Sequence, residues 1–378
     1  MPLSRRNFLR IAGSSAVILP TTACTSGPDT ARQPWQNAGQ YDDPMRQALS
    51  YALLAPNPHN RQPWVVDLHG GSSATLYVDL DRLLPQTDPY SRQITIGLGC
   101  FVEQFRIAAQ EFGFRAEITP FPDGYDDRML DNRPVAHLRL TAMAQPAPSS
   151  AFTLIPKRRT NRNLYQDRTP AHLVLKAITQ GLGDQVAAGF TNNVDQVAHL
   201  QDLAVIASNI EFDTPRTYME SVDVMRIGAR ENNKNPDGIA LEGPLKEALH
   251  RLGILTRKSL SDMNSSIFRT GREDYANGIK SARAFVWLST PTNTRLDQIR
   301  AGAAYLRLNL KATGAGLAMH PLSQALQEYV EMKEAISLIH HLLDVKDGAR
   351  VQMFARIGYA KPVAPAPRWP LEAKIKPT

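Results

Sequence analysis

The sequence predicts a protein of mixed helices and strands built in two related halves. Three observations carry this. The 378 residues exceed the usual size of one domain. A helical pattern over Cys100–Phe112, closed by Gly113-Phe114, is echoed by one over Gly302–Thr313, closed by Gly314-Ala315-Gly316-Leu317. Each leads to a strand and a proline. A proline- and serine-bearing linker, residues 144–150, lies between them and divides the chain into halves at 40–148 and 149–378.

In the first half, Met45, Leu49, Ala52 and Leu53 mark a short helix, and Val65-Val66-Asp67-Leu68 reads as a strand. Ala74–Leu80 alternates as a strand does. Apolar positions 101, 102, 105, 108 and 109 line one helix face, and Gly113 supplies its C-terminal cap. Residues 115–118 and 136–140 are further strands. In the second half, 173–178 and 200–207 have helical spacing, and Ala284–Leu288 is a buried strand by its β-branched and aromatic content. Residues 301–312 form a helix and 353–360 a strand. Residues 211–280 are charged, dotted with glycine and asparagine, and read as an insertion of short helices.

Composition narrows the function. The chain is 43% hydrophobic and 21% charged, and its net charge of +7 falls to +4 once Arg5, Arg6 and Arg10 of a leader are removed. That charge is mild and scattered, with no basic tract interleaved with aromatics, which argues against nucleic acid. Two cysteines, Cys24 and Cys100, are too few for a disulfide framework. His340-His341 are adjacent and cannot form an i, i+4 ligand pair, and no metal motif is present. Gly97-Leu98-Gly99-Cys100-Phe101-Val102 has valine where a dinucleotide fingerprint needs its third glycine.

Ser4-Arg5-Arg6-Asn7-Phe8-Leu9-Arg10 resembles a twin-arginine export signal. The apolar run from Ile11 to Leu19 is too short to span a bilayer, which needs about 20 residues. The expectation is export in the folded state and a periplasmic location. Cleavage after Ala23 would leave Cys24 first, as in a lipid-anchored protein, although Pro20-Thr21 is a poor match to a lipoprotein box. Residues 1–30 are read as signal and tether, the tether composition running on to residue 44.

The most informative stretch is Ala55-Pro56-Asn57-Pro58-His59-Asn60-Arg61-Gln62-Pro63-Trp64. Three prolines and two asparagines cannot continue a helix, so a stiff polar turn joins two packed elements. Stiff loops on a scaffold are where binding groups gather. The stretch resembles the Ala-Pro-Ser-x-x-Asn-x-Gln-Pro-Trp motif of the nitroreductase family of flavin enzymes, with Asn57 in place of serine. Two further strings strengthen the resemblance. Arg158-Arg159-Thr160-Asn161-Arg162 is similar to the family's Arg-x-Ser-x-Arg. Gly358-Tyr359 with Arg368-Trp369-Pro370-Leu371-Glu372 is similar to its C-terminal motif. The likeness covers most of the chain from residue 40, the insertion excepted, and is greatest to the internally duplicated Acg type.

The resemblance implies an α+β fold whose two tandem halves form an intramolecular pseudo-dimer, monomeric overall, with one composite site for flavin mononucleotide. It implies a phosphate held by Arg158, Arg368 and the Thr160 hydroxyl. Arginine suits a phosphate because it offers planar paired donors and keeps its proton. Arg162 would face the ribityl chain or the pyrimidine edge. Pro56, Asn57, Asn60 and Gln62 would form the loop at the isoalloxazine edge, and Pro321, Leu322 and Ser323 would lie over the reactive nitrogen. Trp64 is assigned to the core, and His320 reads first as a hydrogen-bonded histidine and second as a proton donor. No side chain needs to carry the redox chemistry. The implied reaction is ping-pong transfer from a reduced nicotinamide or other donor to a small nitroaromatic or quinone. The alternative is a protein that holds flavin without turnover.

Overall fold

The computed structural model describes residues 29–145, 148–345 and 348–377. Residues 1–28, with the expected export leader and Cys24, and residues 146–147 of the linker lie outside the described residues.

Short helix α1 (Gln33–Asn37) precedes α2 (Pro44–Ala52), which Asp43 caps by accepting from the Arg46 N–H. Strands β1 (Trp64–Leu68) and β2 (Ser73–Val78) form a hairpin. Helix α3 (Arg92–Glu111) follows, then β3 (Phe114–Pro120) and β4 (Ala136–Ala142). The four strands make an antiparallel sheet in the order β1-β2-β4-β3.

The second half has α4 (His172–Thr179), β5 (Ala187–Thr191) and α5 (Val194–Asp213). The 211–280 segment adds α6 (Pro215–Asp223), β6 (Met225–Ile227), α7 (Gly228–Lys234), β7 (Ile239–Leu241), α8 (Pro244–Arg251), α9 (Arg257–Ser261) and α10 (Ser266–Lys280). Then come β8 (Ala284–Thr290), α11 (Arg295–Gly314), β9 (Ala318–Pro321), α12 (Lys333–Leu342) and β10 (Arg350–Gly358). Strands β5-β8-β10-β9 form a second antiparallel sheet.

The fold is α+β, and the two sheets share one plan. In each the spatial order is first, second, fourth, third, and a 20-residue helix separates the second strand from the third. Helices α3 and α11 cross at Gly99 and Gly302. A Cβ on Gly99 would stand 2.3 Å from the Ile299 carbonyl oxygen, and one on Gly302 would stand 2.1 Å from that of Ile96. The offset of three residues is the same both ways, as a two-fold relation requires. Beside the crossing, Arg307 donates to both oxygens of the buried Glu103 at 2.8 and 3.0 Å. Backbone contact this close leaves no room for a methyl group. Gly302→Ala is expected to destabilise the protein by about 3 kcal/mol, read as a lower urea midpoint at unchanged slope; an unchanged midpoint would refute the crossing.

The main core fills the space between the sheets and these helices, joining Leu98, Phe101 and Phe105 to Leu306 and Leu310. Trp64 is fully buried in it, its ring 5.0 Å from Phe101. A second cluster, including Leu200, Phe285 and Phe354, covers the other face of the second sheet. The insertion has a small core of its own around Tyr218, Val222 and Phe268. Glu220 fastens it to the first half by accepting from the N–H groups of Gln86 and Thr87, both at 2.8 Å. Asp237 adds a hub that takes Arg82, Arg226 and the Trp369 indole N–H.

The tether reading is corrected from residue 29 onward. Ala31 is buried, and the Arg368 N–H donates to its carbonyl at 2.8 Å. The Trp35 indole donates to the Ala366 carbonyl, and Arg32 to that of Pro365. Tertiary docking holds this short polar stretch, which its own helix propensity would not. The C-terminal segment then runs to the first sheet, where Ile375 pairs with Val66 and Lys376 donates to the Val66 carbonyl.

Candidate functional site

The loop after α2 is held in a costly backbone shape. His59, Asn60 and Gln62 have φ of 46, 51 and 51°, in the left-handed region that non-glycine residues enter at about 1 kcal/mol or more each. Such strain persists only where the surroundings over-determine it. The Asn57 side chain accepts from the Gln62 N–H at 2.7 Å and donates back to the Ala55 carbonyl. Gln62 is fully buried: its amide donates to the Pro236 carbonyl at 2.7 Å and accepts from the Trp369 N–H at 2.9 Å. Lys374 donates to the Gln62 carbonyl at 2.9 Å. Gln62 and Asn57 therefore spend their polar groups on shaping the loop, with Pro56 buried at its start.

Arg368 has the same character. Its five N–H donors go to the carbonyls of Leu53, Leu54, Ala55 and Pro367 and to the Asn60 side chain, at 2.6 to 3.1 Å. No donor remains for a phosphate, so the role expected of Arg368 is replaced by that of a clamp on the end of α2. Arg158 is different. It is buried, it donates once, to the Leu54 carbonyl at 3.1 Å, and its Nε and Nη1 have no partner among the described residues. Burial pulls its pKa down to about 10, with Tyr305 of α11 and Cys100 of α3 close enough to pull it back up. It therefore stands at the junction of the halves.

Arg159 joins this cluster and lies over the Trp35 ring at 4.7 Å, while Arg368 lies over the same ring at 5.4 Å. Thr160 follows, half-buried. Burial lowers the pKa of Arg368 well below its ordinary value, and Arg158 and Arg159 lower it further. Among the described residues none of the three forms a salt bridge with a carboxylate. Clustered, desolvated cations without a counter-ion are unfavourable until an anion arrives. The donor set fits a phosphate.

Arg162 marks the other end of the site. It is exposed, with no hydrogen bond or ion pair among the described residues. Yet the protein around it lowers its pKa, as in a cleft that solvent can enter. Groups from several elements feel its charge. His59, on the strained loop, is brought down to about 4 by burial, then by Arg162 and Arg61. Lys246 of α8 is lowered by burial and by Arg162. Burial raises Tyr275 of α10 to about 12, with Arg162 acting against it. His320 of β9 is pushed well below its usual value by burial, Arg356 and Arg162.

Pro321 closes β9 opposite Ala355, and Leu322 is buried with its N–H donated to the Phe354 carbonyl at 2.9 Å. That N–H is thus spent on the sheet, contrary to the expectation that it serves a cofactor; Ser323 lies beyond this last ladder bond. The structure therefore brings Arg158 to the Leu54 carbonyl just before the loop and Arg162 within electrostatic reach of His59 on it, and assigns Gln62, Leu322 and Arg368 to the scaffold. His59, Tyr275 and Lys246 were not anticipated. Only a histidine amid turn residues gave any signal, and the other two lie in the insertion.

No family model matches the sequence. It is similar to "Uncharacterized protein Rv3127" of Mycobacterium tuberculosis, with 26% identity over 339 residues spanning 88% of this chain and 92% of the relative. Two more proteins of that organism bear the name "Putative NAD(P)H nitroreductase". Rv3131 is 25% identical over 350 residues, 88% of this chain and 91% of its own, and acg is 34% identical over 86 residues, 22% and 25%. Among solved structures, the FMN and NADPH-dependent nitroreductase NfnB from Sphigopyxis sp. strain HMH covers 61% of this chain and 99% of its own. Its TM-score is 0.38 at 16% identity, an overlap too slight to argue from. At full length, then, the chain is similar to mycobacterial proteins of which one is named a nitroreductase.

Proposed function

We propose that this chain is an oxidoreductase of the nitroreductase family that binds flavin mononucleotide at the junction of its two halves. The observation that carries the reading is Arg158, buried with two donors unmatched, in a cluster of arginines that lacks a counter-ion. The cofactor's phosphate would bring about −1.5 to −2 charges to that point. Arg158 and Arg159 with the Thr160 hydroxyl hold it, Arg368 shapes the wall behind it, and Asn57 and Asn60 lie along the loop at its side. Arg162, facing the cleft unpaired, favours negative charge on whatever lies there. Flavin, when bound, supplies two-electron transfer between a donor such as a reduced nicotinamide and a small nitroaromatic or quinone. The protein's part is to bind, orient and exclude water.

The common strand order and the reciprocal glycine contacts support a duplicated unit that forms an intramolecular pseudo-dimer with one working site. Export by the twin-arginine route, after the cofactor is loaded, belongs to the same proposal and rests on residues 4–23, as does a lipid anchor at Cys24.

A second reading is favoured by the fastening of the insertion through Glu220 and Asp237: a cover held in place would let the protein hold flavin without turnover. Anaerobic titration with NADH and NADPH separates the two. An enzyme is expected to bleach near 450 nm with about one equivalent and to recover its colour with menadione. A yellow protein that stays yellow with both donors refutes nicotinamide-driven turnover, and a colourless protein that takes up no added flavin refutes the site.

A further inference from the structure

We infer that His320 is a catalytic residue of this cleft, a fixed neutral hydrogen-bond donor that presents Nε2–H to an oxygen of the bound electron acceptor. The inference rests on the flavin reading above and adds to it a side chain with a defined protonation state. His320 and Arg356 are cross-strand partners in the β9–β10 ladder and share one face of the sheet. Arg356 Nε donates to His320 Nδ1 at 3.1 Å. The guanidinium cannot reverse that bond, since it has donors only and keeps its proton. Nor can it turn away. Its Nη1 donates to the Gly278 carbonyl and to Ser281 Oγ at 3.0 Å, and its Nη2 to the Asn163 carbonyl at 3.1 Å. Its plane lies over the Tyr165 ring, 4.1 Å away. Nδ1 is therefore the acceptor, and the ring's one proton sits on Nε2.

Every group packed around the imidazole opposes a second proton. Arg356 and Arg162 are cationic, and Tyr275, whose ring meets His320 edge-on at 6.0 Å, is a neutral phenol. Tyr275 is itself held by a hydrogen bond from its hydroxyl to Gln324 at 3.1 Å. Nε2 has no hydrogen-bond partner among the described residues. A neutral imidazole held in one tautomer is a good donor to an oxygen that gains charge, because it does not reorganise as the charge develops. With a quinone, a hydride equivalent from the reduced flavin, which would thereby be reoxidised, would enter the acceptor, and negative charge would gather on the quinone oxygen. His320 hydrogen-bonds that oxygen and keeps its own proton, and water supplies the proton that completes the hydroquinone.

The test uses the flavin-loaded full chain with labelled histidine nitrogens. The resonances of His320, identified by their loss in His320→Gln, are expected to report one neutral Nε2–H tautomer at both pH 5.5 and pH 8.5. An imidazolium at pH 5.5, or the Nδ1–H tautomer, overturns the inference. Nitrobenzene added to the oxidised protein should move the Nε2–H proton downfield where toluene does not, and equal spectra overturn it. For rates, the flavin is reduced with dithionite and reoxidised with menadione. His320→Leu is expected to slow reoxidation about 10²-fold at unchanged flavin content, with His320→Gln, whose amide restores an N–H, recovering part of the loss. Equal rates in all three proteins overturn it as well. Should the leucine variant fail to fold, the glutamine variant and the tautomer still decide. A chain without flavin would end the flavin reading, while the nitrobenzene shift would still answer for the imidazole.

Discussion

Arg158→Met is expected to fold at least as well as the parent and to lose its flavin. The parent buries a guanidinium with Nε and Nη1 unmatched, and burial brings its pKa down to about 10. A desolvated cation of this kind costs several kcal/mol that binding an anion recovers. Methionine removes that cost, fills similar space and needs no partner, so the apoprotein should be unchanged or firmer by up to about 3 kcal/mol. The cofactor is affected in the opposite sense. Two charge-assisted hydrogen bonds at about 1.5–3 kcal/mol each are lost, which is a 10²- to 10⁴-fold weaker affinity. Urea unfolding of the apoprotein reads the first effect, and quenching of flavin fluorescence on titration reads the second. A variant that purifies as yellow as the parent would remove Arg158 from the site.

Arg368→Met should do the reverse and strike stability first. Four carbonyls and the Asn60 side chain share this guanidinium; Leu54, Ala55 and Pro367 each have a second donor, in Arg158, Asn57 and Asn60, while the Leu53 carbonyl and the Asn60 side-chain oxygen depend on Arg368. Methionine leaves buried acceptors bare at about 1–3 kcal/mol each, and relaxation would reduce their sum. A net loss of about 2–4 kcal/mol is expected from the two acceptors left without a donor. The urea midpoint of the apoprotein should fall accordingly, and excess flavin should not restore it. An unchanged midpoint would show that the carbonyls of residues 53–55 do not depend on this side chain. The two arginines come from motifs that read alike in sequence, yet their substitutions are expected to differ in sign on apoprotein stability.

That difference shows where a sequence stops being legible. The 55–64 loop, the 158–162 string and the 368–372 string could each be found by eye, and the structure brings all three to one place. Their division of labour could not be found, because it depends on pairings more than 300 residues apart, such as Gln62 with Trp369 and Asn60 with Arg368. A motif marks residues that matter without saying whether they serve a ligand or one another. Strands β1 to β4, β8 and β10 were readable from alternation and β-branched content. The start of α3 was not. Helix begins at Arg92, while the sequence pattern starts it at Cys100, since Gly97 and Gly99 carry no side chain to mark a face and Gly99 serves the approach of α11. The polar residues 29–37 looked like a tether because their partners, Pro365 and Ala366, lie at the far end of the chain. The cleft's titratable ring of His59, Lys246, Tyr275 and His320 is a product of tertiary convergence and leaves no local pattern.

The ties between residues 53–62 and 368–374 also set an order of events. The first half leaves the ribosome with its loop, but the backbone shape of His59, Asn60 and Gln62 needs Trp369 and Lys374 to hold it. Those residues follow the loop by more than 300 positions. A chain cut short of residue 368 would carry Arg158 and Arg162 while its loop remained unformed. A ligand that needs the loop's shape would be held only once the two segments have docked. Residues 368–374 thus act as the latch that closes what residues 53–62 begin.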